Sequence, residues 1–192
     1  MNPLKVTLWN VPEDMTEYIT APVHPQNEEM GTRTLIFDRE IYIDKADFQE
    51  EGNKKYKRLV IGKRVRLRNA YVIEADEAIK DDGIKPKGVI HWVSALQNID
   101  CEVRLYDRLF NDIAPDAGGK DFMEALNPDS LEVLTGCKGE ISLMNPTSEV
   151  PYQFEREGYF FLDSDSVIDA HEENEKIIFN KTIGLRDTWE SK

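Results

Sequence analysis

The sequence predicts an all-β protein of barrel or sandwich type. Three observations carry that expectation. Short alternating segments recur along the chain, broken by turn residues. Only two stretches have helical character. No internal repeat and no low-complexity linker interrupts the pattern, so the 192 residues read as one large or two small domains.

In chain order, the strand candidates are "KVTLW" (5–9), "TLIFDREIYID" (34–44), "KRVRLRNAYVIEA" (63–75) and "GVIHWVSA" (88–95). They continue with "CEVRLYDRLF" (101–110), "EISLM" (140–144), "YQFEREGYFFLD" (152–163) and "KIIFNKTIGL" (176–185). A short helix is expected within "KADFQEEGNKKYKRL" (45–59). A second is expected within "GKDFMEALNP" (119–128), stopped by Asn127-Pro128. The acidic runs 74–83 and 163–175 are expected to be mobile.

Charge is segregated. The chain carries 37 acids against 24 bases, a net −13. Yet Asn53–Asn69 holds eight Lys or Arg and no Asp or Glu. General nucleic-acid affinity is therefore not expected, but a single basic patch on a repelling surface would hold an anionic polymer in one orientation. If 63–73 is one strand, Val65, Leu67, Asn69, Tyr71 and Ile73 face one way and Arg64, Arg66 and Arg68 the other. Same-face residues lie roughly 6.5–7 Å apart. Such a ladder of guanidinium forks suits phosphate or base edges. The alternative is a solvated charged face, although such faces usually mix both signs. Lys54, Lys55, Lys57 and Arg58 lie just upstream, with Tyr56 among them for stacking.

Catalytic patterns are missing. His24, His91 and His171 are far apart, and Cys101 and Cys137 have no metal-ligand spacing, so neither a metal site nor a disulfide is expected. "GKRVRLRN" contains Gly-Lys but lacks the remainder of a phosphate-binding loop. Abundant carboxylates without a pocket do not make a hydrolase. Trp9, Trp92 and Trp189 are expected in packing, His91 as a satisfied strand histidine, and Arg104 and Arg108 as partners in ion pairs or RNA contacts. No run reaches the roughly 18 apolar residues of a membrane span. The reading from the residues is a non-catalytic binding module in a reducing cytoplasm.

Four segments, "APVHPQNEEMGTR", "DFQEEGNKKYKRLVIGKRVRLRNAYVI", "GVIHWVSA…CEVRLYDRLF" and "FEREGYFFLD…FNKTIGLRDTW", closely resemble the C-terminal anticodon-binding region of bacterial-type glutaminyl-tRNA synthetases. The likeness runs in order over nearly the whole chain. It implies two small β-barrels. One would contain both termini, residues 1–45 plus 115–192, and the other would span 46–114. Together they would clasp the anticodon loop and splay its bases.

The resemblance also implies roles. Arg66 and Arg68 look like the arginines at the first anticodon nucleotide and its phosphate. Gln153 and Arg156 look like the pair reading the middle uridine. Lys57 and Arg58 resemble the basic residues around the third base. Arg186 and Thr188 resemble polar groups near the loop. There are two departures. Lys55 stands where the family often has glutamine, and an arginine that the family supplies just before this region has no counterpart ahead of Asn2-Pro3.

The family's HIGH- and KMSKS-type catalytic motifs are lacking. The resemblance therefore implies a non-enzymatic region of a glutamine–tRNA ligase without cofactors of its own. ATP and magnesium would belong to the catalytic domain. The implied partners are the anticodon loop of tRNA-Gln and that catalytic domain, with no membrane, in a cytoplasmic monomer. A related glutamyl-tRNA synthetase domain and a protein-docking module are the alternatives.

Overall fold

A computed structural model describes residues 2–53, 55–75, 77–79, 88–119, 121–168 and 176–185. Among them strands dominate, in five small sheets. Helical structure there is confined to four 3-10 turns of three or four residues. The expected all-β class is the observed one. His171 and Trp189 lie outside the described residues, as do 76, 80–83 and 169–175 of the acidic runs, while the first run contributes to the strands Val72–Glu74 and Glu77–Ile79.

The chain divides into two compact units, Met1–Asp100 with Gly136–Asn145, and Cys101–Thr135 with Pro146–Lys192. This division differs from the expected 1–45 plus 115–192 against 46–114. The pairing gives the reason. Trp92–Ser94 runs antiparallel to Ile41–Ile43, with Trp92 opposite Ile43 and Ser94 opposite Ile41, so the segment after residue 46 returns to the first strands. Pro3–Thr7 pairs on the other side of the same Glu40–Asp44 strand.

In the first unit, alternation builds the core directly. Ile41 and Ile43 of one strand, Val65 and Leu67 of another, Ile90 of the short strand Val89–Ile90 and Trp92 of the next strand, Trp92–Ser94, all bury into one cluster. Phe37 anchors it, 5.4 Å from the Trp92 ring in an edge-on contact. A hairpin of Thr16–His24 and Asn27–Asp38 extends this unit, with a register shift at Pro22. Trp9, expected in packing, is 62% exposed.

The second unit contains the strands Ile177–Ile183, Gly158–Leu162 and Tyr152–Phe154, adjacent in that order, with residues 101–106 of the strand Asn98–Tyr106 paired in parallel to Ile177–Ile183. Its core is aromatic. Phe154 stacks on Phe160 at 4.4 Å and meets Phe179 edge-on at 5.1 Å.

Several expected elements change. The 63–75 strand is a hairpin, Arg64–Leu67 against Val72–Glu74, turning through Asn69 at φ 58°. The helix of 45–59 shrinks to one turn, Lys45–Asp47, because Phe48-Gln49 pairs in parallel with Leu59-Val60. The helix of 119–128 shrinks to Phe122–Ala125, begun by the Asp121 carboxylate accepting from Met123 N. "EISLM" is the end of a strand followed by the turn Ile141–Leu143.

Candidate nucleic-acid interface

The basic stretch lies in the first unit and is built around two turns. In the first, Leu67 N donates to Tyr71 O at 2.8 Å, and Ala70 N donates to Leu67 O at 3.0 Å. Val65 and Leu67 are fully buried, which turns Arg64 and Arg66 to the opposite face. The neighbouring Gly88–Trp92 segment fixes this hairpin. Arg66 N donates to Gly88 O at 3.0 Å, and Arg68 N to Ile90 O at 2.9 Å. Trp92 Nε1 donates back to Arg68 O at 2.9 Å. The Tyr71 hydroxyl donates to the Glu17 carboxylate, which raises the phenol's pKa and keeps its proton in place.

The expected three-arginine ladder is therefore shorter. Arg64 and Arg66 share one strand face, while Arg68 stands in the turn. Nor is the stretch wholly unneutralised. Arg64 Nε lies 3.3 Å from Glu74 Oε2. Arg58 pairs with Asp47, whose side chain is 2% exposed against 39% for the arginine.

The second turn is the closed loop carrying Lys55, Tyr56, Lys57 and Arg58. The Asn53 side chain accepts from Lys55 N at 2.8 Å and Tyr56 N at 3.1 Å. The Tyr56 hydroxyl, a candidate for stacking, donates to Ala46 O at 2.9 Å. Gly52 packs beneath, where a β-carbon would approach Val60 Cγ2 to 2.6 Å. Lys57 itself is exposed.

In the second unit, Gln153 and Arg156 share one hairpin. Tyr152 and Phe154 turn toward Phe179 and Phe160, so Gln153 between them faces the other side. Gln153 Oε1 is buried and accepts no hydrogen bond. A three-residue loop follows, with Glu157 N donating to Phe154 O at 3.0 Å. Arg156 sits within it at φ 72°, exposed. Non-glycine residues in that region are uncommon and concentrate at functional sites. Gly158 closes the loop because a β-carbon would come 2.3 Å from Ile183 O.

Other arginines are held by acids. Arg104 meets Glu102 at 3.0 Å, Asp163 at 2.9 Å and Asp165 at 3.1 Å, which settles its role as an ion-pair partner. Arg108 Nε lies 3.9 Å from Asp107. His91, expected as a satisfied strand histidine, lies between the strands Val89–Ile90 and Trp92–Ser94, with Nε2 3.7 Å from Glu140. Arg186 and Thr188 lie outside the described residues.

Two family models match the chain, over residues 1–92 and 89–163, and both describe the anticodon-binding domain of class I (E and Q) tRNA synthetases. The chain belongs to this anticodon-binding family. Curated relatives span its whole length. It is 47% identical to a glutamine–tRNA ligase of Pectobacterium atrosepticum, over 98% of the chain and 37% of the relative. A glutamine–tRNA ligase of Tolumonas auensis is 48% identical over the same shares. One from Proteus mirabilis is 48% identical over 98% of the chain and 36% of the relative. The chain thus spans just over a third of the length of these relatives.

For an anticodon-binding domain, the structure adds supports that the basic residues did not announce. Gly88, Trp92 and Asp47 make no charged surface, yet they set the backbone and side chains around Lys57, Arg58, Arg66 and Arg68. The word "GVIHWVSA" was visible, but its pairing with "RVRLRN" across more than twenty residues was not. Among the described residues no group of three His, Cys, Asp or Glu could hold a metal ion. Both cysteines are buried free thiols, and burial raises the pKa of Cys137. No helix among the described residues is long and apolar enough to cross a membrane.

Proposed function

We propose that this chain reads the anticodon loop of a glutamine tRNA, as the recognition region of a glutamine–tRNA ligase. One observation carries the reading most directly: the buried, unpartnered Oε1 of Gln153 beside the strained Arg156 turn. A buried acceptor without a donor is costly. Uracil offers one donor on its pairing edge, N3–H, and two flanking carbonyls that suit the amide NH₂ and an arginine. A splayed middle uridine satisfies this set, as single-stranded RNA readers require.

The basic turns of the first unit supply the remaining grip. Arg66 and Arg68 are assigned to the first nucleotide and its phosphate. Lys57 and Arg58 are assigned to the third base, and Arg186 and Thr188 to the loop nearby. This recognition needs no cofactor on the chain. Glutamine activation with ATP and magnesium is assigned to the rest of the enzyme, and the working form is a cytoplasmic monomer.

The test is binding of this protein to anticodon stem-loops bearing UUG and UUC across a salt series. The expected result is preference for UUG with a steep salt slope, since basic side chains displace counterions from phosphates. Preference for UUC would turn the reading to a glutamate tRNA, which the family description also covers. Binding with neither preference nor salt dependence would overturn it.

A further inference from the structure

The Arg58–Asp47 pair has an asymmetry that a surface salt bridge lacks. Asp47 is 1% exposed as a residue, while Arg58 keeps 39% of its side chain in solvent. Asp47 ends the Lys45–Asp47 turn, which the Asp44 carboxylate caps by accepting from Ala46 N at 2.9 Å. The loop bearing Arg58 is tied to that turn twice more, by Tyr56 Oη to Ala46 O at 2.9 Å and by the Phe48–Leu59 pairing.

A buried ion pair is a poor source of stability, because desolvation offsets most of the attraction. It is an effective source of orientation. Guanidinium carries five N–H donors in a rigid plane. One N–H, on Nη1, is engaged by Asp47. Fixing that corner fixes the plane, and the exposed donors keep a defined direction. Guanine is the base whose O6 and N7 accept such a fork.

We infer that Asp47 is a positioning residue for base discrimination: it orients Arg58 so that the guanidinium meets a guanine at the third anticodon position. The inference rests on the anticodon reading above and adds a residue to it. Asp47 touches no RNA; it acts through Arg58.

The experiment compares wild type, Asp47→Asn, Arg58→Lys and Asp47→Asn/Arg58→Lys on stem-loops bearing UUG, UUC and UCG, with thermal melting of each protein. Asp47→Asn is expected to lower the UUG-to-UUC ratio about tenfold. The UUG-to-UCG ratio and the salt slope should stay unchanged, and a general structural lesion would move both. Arg58→Lys keeps the charge but not the plane, and should lose the same third-base ratio while melting near wild type. The double variant should discriminate no worse than Arg58→Lys alone. If Asp47→Asn does not fold, Arg58→Lys decides. A wild-type third-base ratio in a folded Asp47→Asn or in Arg58→Lys overturns the inference, as does an equal loss on all three loops. Wild type that binds but does not distinguish UUG from UUC overturns it too, whereas wild type that binds no loop overturns the anticodon reading itself.

Discussion

Gly88 lies directly against the main-chain carbonyl of Lys57, where a β-carbon would fall 1.6 Å from the oxygen. No side chain fits there without moving the two segments apart. Gly88 O also receives Arg66 N, so the same displacement disturbs the arginine hairpin. Gly88→Ala is expected to destabilise the protein by about 1–3 kcal/mol, the usual range for forced overpacking. Urea unfolding measures it. An unchanged midpoint would show that the contact yields freely.

Gln153→Ala should leave overall RNA affinity less affected than selectivity. The expected loss is about tenfold in preference for a middle uridine over a middle cytidine, the scale of one well-made base contact. Stem-loops differing only at that base measure it. Equal losses on both loops would remove Gln153 from readout.

Arg66→Ala should weaken every stem-loop by a similar factor. The slope of log affinity against log salt should fall by about one, the signature of one lost phosphate contact. Arg104→Ala is the matched control, since its guanidinium is already held by three carboxylates. An unchanged slope for Arg66→Ala would place that arginine outside the phosphate contacts.

The Arg104 cluster predicts acid sensitivity in the second unit. The backbone N–H of Asp165, then Asn180 and Arg104, hold the Asp163 carboxyl below its ordinary value despite burial. Lys176, then Arg104, do the same for Glu102. Both folded values are depressed. Their stabilisation is therefore full above the ordinary carboxylate range near 4 and is withdrawn as pH falls through the lower folded values. Hydrogen exchange in 101–106 and 177–183 should accelerate as pH drops below about 4, beyond the intrinsic pH effect. Arg104→Gln should flatten that dependence. A wild-type profile in the variant would show that the cluster adds nothing.

Strand alternation made the all-β class and much of the first core legible. Val65, Leu67, Ile41 and Ile43 bury as their spacing requires. The turn inside "RVRLRNAYVI" was not legible, because alternation continues through Asn69 and only a positive φ breaks it. The strand Leu131–Glu140 was missed for the opposite reason: Gly136 and Gly139 weaken its pattern, while its partner strand supplies the pairing. Arg104 illustrates the limit at the site. A basic residue on a strand face reads the same whether it meets RNA or carboxylates, and only the distant Asp163 and Asp165 decide.

The first unit takes its last ten residues, Gly136–Asn145, from beyond a 35-residue stretch that belongs to the second. During synthesis, then, the arginine hairpin is made long before the unit that holds it can be finished. At ribosomal rates of about 5–20 residues per second, the N-terminal hundred residues wait seconds for their missing piece. A chain cut between Asn69 and Gly136 emerges as an unfinished first unit, with the basic loop already synthesised and its packing incomplete.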